Sequence, residues 1–119
     1  MNGYESVFIL NPSATEEAQN KLLDKVTQVV ENNGGKVVHK TTWGRRRMAF
    51  PIKKQIYGNY HLFYLNRAPA ALKEMETQFR YSDEVLAWQS VAVNDINTEY
   101  EAFEKLKSEG SLSQKITER

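Results

Sequence analysis

Two rhythms of apolar and polar positions alternate along the chain. Tyr4 to Leu10 (Y-E-S-V-F-I-L) is aromatic and β-branched, which predicts a strand. Asn11-Pro12 closes it, because proline has no N–H to give a ladder. Ser13 with Glu16 has the spacing of a capping box, in which the hydroxyl serves an orphan amide and the carboxylate reaches back. Glu16 and Glu17 also lie where the helix dipole favours negative charge. Ala18, Leu22, Val26, Val29 and Val30 then recur at steps of three and four, one apolar stripe of a helix running to about Asn33. Gly34-Gly35 ends it, since glycine enters the left-handed cap at little cost.

Alternation returns, imperfectly, from Lys36 to Phe50, where Val37, Val38, Trp43, Met48 and Phe50 suggest a long second strand and Gly44 a bulge within it. Pro51 to Gly58 reads as a loop. Asn59 to Asn66 is apolar nearly throughout and predicts a central strand. Pro69 fits a first helical position, and Leu72, Met75, Glu76 and Phe79 follow the helical step. Val85 to Val93 (V-L-A-W-Q-S-V-A-V) is a fourth strand. The order β-α-β-β-α-β predicts an α+β fold, the ferredoxin-like split β-α-β arrangement: a four-stranded antiparallel sheet with two helices on one face and the other face open. This accounts for residues 1–94. Residues 95–119 read as a C-terminal tail, with a short helix from about Thr98 to Ser108 and a polar, disordered end from Gly110.

Composition narrows the class. The 119 residues hold no cysteine, which excludes disulfides, thiolate metal ligands and thiol nucleophiles. No run approaches the ~20 apolar residues of a membrane span, and Val7 to Leu10 is too short for a signal peptide. These features predict a cytosolic protein. The net charge of +1 hides a split. Residues 1–94 hold 12 Lys/Arg against 9 Asp/Glu, and residues 95–119 hold 4 against 6. From Lys36 to Lys54 there are seven basic residues and no acidic one. A single-sign block beside a balanced remainder points to a polyanionic partner, most often nucleic acid.

Candidate chemistry follows from that block. Trp43-Gly44-Arg45-Arg46-Arg47 joins an aromatic plane to three guanidiniums, which fork onto phosphates and stack on bases. Strand alternation sends Arg46 to one face and Arg45 and Arg47 to the other. The competing reading is a solvated edge that discourages aggregation. Trp43 and Trp88 read as core or as base-stacking platforms, but Asn59 to Tyr64 lacks the glycine–aromatic signature of the single-strand RNA reader of this topology. His39 and His61 have no ligand neighbours at metal spacing and read as structural. No glycine-rich phosphate loop occurs, and the carboxylate pairs sit where solvated charge is normal, so no enzyme, cofactor or metal is expected. In the tail, Tyr100, Phe103 and Leu106 form a thin apolar stripe that either binds a partner or packs back on its own domain.

Tyr4-Glu5, Leu10-Asn11-Pro12, Gly34-Gly35-Lys36-Val37 and above all Trp43-Gly44-Arg45-Arg46-Arg47-Met48-Ala49-Phe50-Pro51-Ile52-Lys53-Lys54 resemble one family, the sixth protein of the bacterial small ribosomal subunit. Gly58-Asn59-Tyr60, Leu72, Glu76, Arg80 and Asp83-Glu84-Val85-Leu86 continue the likeness, over about residues 3–93. The resemblance implies a structural role without catalysis, cofactor, membrane or small-molecule substrate. It implies pairing with the eighteenth small-subunit protein and binding to the central domain of 16S rRNA. It makes Arg45, Arg46, Arg47, Lys53 and Lys54 candidate RNA contacts, with Arg46 and Arg47 at the family's paired arginines. Tyr100 and Phe103 become candidate partner contacts. Two departures stand out: Asn2-Gly3 and Ala87 occupy positions that are often basic in the family. Fold alone leaves open a protein–protein or metabolite-binding module of the same architecture.

Overall fold

The structure, a computed structural model, describes residues 2–109. Its elements run β1 (Gly3–Leu10), α1 (Glu16–Asn32), β2 (Val37–Ile52), β3 (Gln55–Asn66), α2 (Pro69–Arg80), β4 (Val85–Val93) and α3 (Ile96–Glu109). The four strands form one antiparallel sheet in the order β2-β3-β1-β4, the α+β arrangement that the element order predicts. The apolar β3 lies at the centre beside β1, and β2 and β4 are the edges.

Side chains alternate across a strand, so each central strand feeds two cores. Phe8, Leu10, Phe63 and Leu65 pack under Leu22, Val26 and Val30 of α1 and Ala71, Met75 and Phe79 of α2. Val7, Leu62, Tyr60 and Tyr64 face the other way. The start of α1 differs from the capping box that the sequence suggests. Thr15 is the cap, its Oγ1 accepting the Ala18 N–H at 3.1 Å. Ser13 instead donates its N–H and hydroxyl to Asn11 Oδ1 at 2.9 and 2.7 Å, an Asx turn that carries the chain past Pro12. With the cap at Thr15, the third helical residue is Ala18, which has no carboxylate to reach back. At the other end Gly34 takes φ +82°, and the Gly35 N–H closes on the Val30 carbonyl at 2.9 Å.

Two larger corrections concern the hairpin and the C-terminal segment. Pro51 to Gly58 is no loop: β2 continues to Ile52, Lys53 and Lys54 alone make the turn, and β3 begins at Gln55. The second face of the sheet is not left open, and the segment after Val93 does not lie beyond the fold. α3 crosses that face and sets Ile96 and Phe103, neither with exposed surface, among Leu62 and Tyr64. Tyr100 stacks flat on His39 at 4.0 Å, and Thr41 donates its hydroxyl to Glu104 at 2.7 Å. The driving force is the apolar face itself, which α3 removes from water. Of the two readings of the Tyr100–Phe103–Leu106 stripe, packing back is the one observed. The disorder expected from Gly110 falls outside the described residues.

Candidate nucleic-acid interface

β1 ends at Leu10, opposite Asn59. Past that point β2 and β3 continue without it, as a two-stranded arm from Arg45 to Gly58. Its register pairs Arg45 with Asn59, Arg46 with Gly58 and Arg47 with Tyr57. Arg46 therefore faces away from Arg45 and Arg47, as alternation requires. The Arg45 guanidinium lies over the Tyr57 ring, 4.6 Å from its centre, and that of Arg46 over Trp43 at 4.9 Å. Trp43 is itself braced edge-on against Tyr60. All three arginines are exposed, and among the described residues none has a carboxylate partner. A guanidinium held over a ring keeps its donors free for an outside anion.

Beyond Arg47 the ladder breaks. Met48 to Pro51 stand opposite Ile56 alone before Ile52 pairs with Gln55. This bulge accommodates Pro51, which has no N–H to pair. It turns Met48 inward, 6% exposed, and leaves Phe50 69% exposed. Met48, Phe50 and Ile52 become the wall of an apolar groove of about 250 Å³, with Val7, Ile9 and Tyr60 as its floor and Ala87 and Gln89 of β4 along the far side. The arm lies so close to the sheet here that a Cβ on Gly58 would sit 2.2 Å from Ile9 Cγ2.

The tip carries two more cations. Lys53 and Lys54 have φ of +49° and +66°, the left-handed region that non-glycine residues enter at a cost of about 1–2 kcal/mol each. Both side chains are exposed, and the Lys53 ammonium donates to the Val85 carbonyl at 3.4 Å, tying the tip to β4.

The five basic candidates thus share one arm. Tyr100 and Phe103 lie elsewhere: Tyr100 keeps partial exposure beside His39, whereas Phe103 is enclosed and offers a partner no surface in this conformation. The histidines have structural contacts. His39 Nε2 is 2.8 Å from Asn97 Oδ1, and His61 stacks on Phe8, where burial pushes its pKa down to about 4. The groove was not foreseen. The available signal was Pro51 within a run of apolar residues, a pattern that cannot continue a regular ladder.

Among the described residues no three His, Asp or Glu gather to hold a metal ion, and no helix is long and apolar enough to cross a membrane. What the arm can do is neutralise phosphates, stack on bases and dock an apolar surface beside them.

Residues 3–92 match the family model described as ribosomal protein S6. The chain is 41% identical over 91 residues to the small ribosomal subunit protein bS6 of Clostridium novyi, covering 76% of this chain and 96% of that protein. It is 32% identical over 102 residues to the bS6 of Porphyromonas gingivalis, covering 86% and 87%. The crystal structure of 30S ribosomal protein S6 from Thermotoga maritima superposes with a TM-score of 0.74 at 28% identity, covering 87% of this chain and 99% of that one.

Proposed function

The chain belongs to the ribosomal protein S6 family, and from that premise we propose that it binds the central domain of 16S rRNA through the β2–β3 arm, as one half of a heterodimer with the eighteenth small-subunit protein. A member of this family is a structural component of the bacterial small ribosomal subunit, not an enzyme, and its place is the ribosome in the cytoplasm. The observation that carries the RNA reading is the row of exposed guanidiniums at Arg45, Arg46 and Arg47, without carboxylate partners among the described residues, on an arm that continues beyond the end of β1. Lys53 and Lys54 extend the row to the tip.

Contacts of this kind position a protein on the phosphate backbone and carry no sequence information of their own. Specificity belongs to the shape of a folded RNA junction and to the partner. The groove supports the heterodimer reading. It exposes Phe50 on the arm that also carries the arginines, so a partner seated there would lie directly beside the RNA. Tyr100 belongs to the proposed partner surface as it stands; Phe103 joins it only if α3 leaves the sheet.

The test is a titration onto a fragment of the 16S central domain, with and without the eighteenth protein, at two salt concentrations. The expected result is weak binding alone, strengthened by the partner. Equally tight binding without the partner would refute the division of labour. No binding in either case would return the function to a protein–protein or metabolite-binding module.

A further inference from the structure

The two faces of the arm are built differently. Leu10, the ladder partner of Asn59, packs in the core beneath α1, and Asn59 donates its side-chain amide to Gln19 Oε1 of α1 at 2.8 Å. Asn59 thus lies on the α1 side of the sheet. Strand alternation puts Tyr57 on that side as well, and the register adds Arg45 opposite Asn59 and Arg47 opposite Tyr57. Arg46 lies over Trp43 on the other side, where Trp43 packs with Tyr60 against the second core. Trp43 is therefore taken up by packing. Tyr57 is not: its ring belongs to neither core, is 41% exposed, and has the Arg45 guanidinium 4.6 Å from its centre. Neither Arg45 nor Arg47 has a carboxylate partner among the described residues.

We infer, on the premise that the arm binds RNA, that Tyr57, Arg45 and Arg47 form a site for one unpaired nucleotide on the α1 side of the arm. The base stacks on the Tyr57 ring, and Arg47, directly opposite in the register, meets the nucleotide's phosphate. Arg45 is the second plane. Its side chain is exposed and free to swing, so a base that enters between guanidinium and ring exchanges one cation–π contact for two stacking contacts. A paired base is already stacked within its helix and cannot offer its face, so the site takes a nucleotide splayed out of a loop, bulge or junction. Any base has a π-face, so the site reads the unpaired state and not the sequence. Asn59, held by Gln19, fixes the root of this face against α1.

The probes are pentaadenylate RNA and an abasic strand with the same phosphates, each titrated into the full chain and followed by NMR. Pentaadenylate is expected to move the Tyr57 ring protons upfield, to perturb Arg45 and Arg47, and to bind about fivefold or more tighter than the abasic strand. Tyr57→Leu should bring pentaadenylate down to the level of the abasic strand, whereas Tyr57→Phe should keep the difference. Both changes fall at an exposed position, and an unchanged amide spectrum away from the arm shows that the variants fold. Arg47→Gln should lower the salt slope by ~0.7 for both strands, because both carry the phosphate. Equal binding of the two strands to the parent chain, or no binding of either, would overturn the inference. So would a preference for pentaadenylate that survives Tyr57→Leu, or ring shifts at Trp43 in place of Tyr57. Failure to bind the 16S fragment with the pentaadenylate preference intact would count against the 16S reading and leave the nucleotide site standing; the reverse pattern would remove the site and keep that reading.

Discussion

Lys53 and Lys54 sit in a backbone conformation that suits asparagine and glycine, the pair usual in two-residue hairpin turns of this kind. Replacing Lys53→Asn together with Lys54→Gly should therefore raise stability by about 1–2 kcal/mol, read as an increased urea midpoint at unchanged slope. It should also weaken RNA binding if the tip touches phosphate. His61 gives a pH signature. Its ring is neutral in the fold down to about pH 4, whereas the unfolded chain takes up the proton near 6.5. Stability is thus lost as pH falls from 6.5 towards 4, by at most ~1.4 kcal/mol per pH unit and by less where solvent reaches the ring. Between pH 7 and 5, His61→Phe should lose less stability than the parent chain; equal losses would show that other groups govern this limb. At this scale the sequence was an uneven guide. The opposed faces of Arg45 to Arg47 follow from strand period alone. The helix cap did not, because Ser13, two residues early, offered the same hydroxyl as Thr15 and found a nearer partner in Asn11.

Elements resolve differently from residues. β1, α2, β4 and the inner part of β3 from Asn59 are legible because each has a strong period and a plain stop at its end. The arm is not, because its outer part is a bulge: Met48 to Pro51 leave the ladder, and a broken alternation looks like a loop. At Gly58 the arm lies against Ile9 of β1. Gly58→Ala would drive a methyl group into Ile9, and the expected cost is about 1–3 kcal/mol, with reduced RNA affinity as the arm is pushed aside. For α3, periodicity left docking and partner binding open, since a thin apolar stripe fits either. Burial of Phe103 decides between them in the isolated chain. Phe103→Ala should cost about 3–5 kcal/mol in urea unfolding. Tyr100→Ala, at a half-exposed position, should cost much less. Similar small losses for both would mean that α3 spends much of its time away from the sheet.

For the whole molecule, strand order and helix placement were accessible from the element sequence because few topologies satisfy β-α-β-β-α-β with short connections. The contents of the second face were not, since they depend on where a weakly patterned helix comes to rest. The candidate site was half legible. Charge marks the arm in one dimension, but the groove beside it exists only once the bulge of β2 folds over β1. The molecule that results presents cations and apolar surface on one arm.

The most direct test is the salt dependence of binding to the 16S central-domain fragment, in the presence of the eighteenth protein, for the parent chain and for Arg45→Gln/Arg46→Gln/Arg47→Gln. Each phosphate that is no longer neutralised lowers the slope of log affinity against log salt by ~0.7–0.9. A slope smaller by about 2 or more is expected in the triple variant, with weaker binding at low salt. The urea midpoint should move only slightly, because the guanidiniums lose exposed stacking on Tyr57 and Trp43, about 0.5–1 kcal/mol each, and no carboxylate partner among the described residues. An unchanged slope and affinity in a folded triple variant would contradict phosphate contact by the arm.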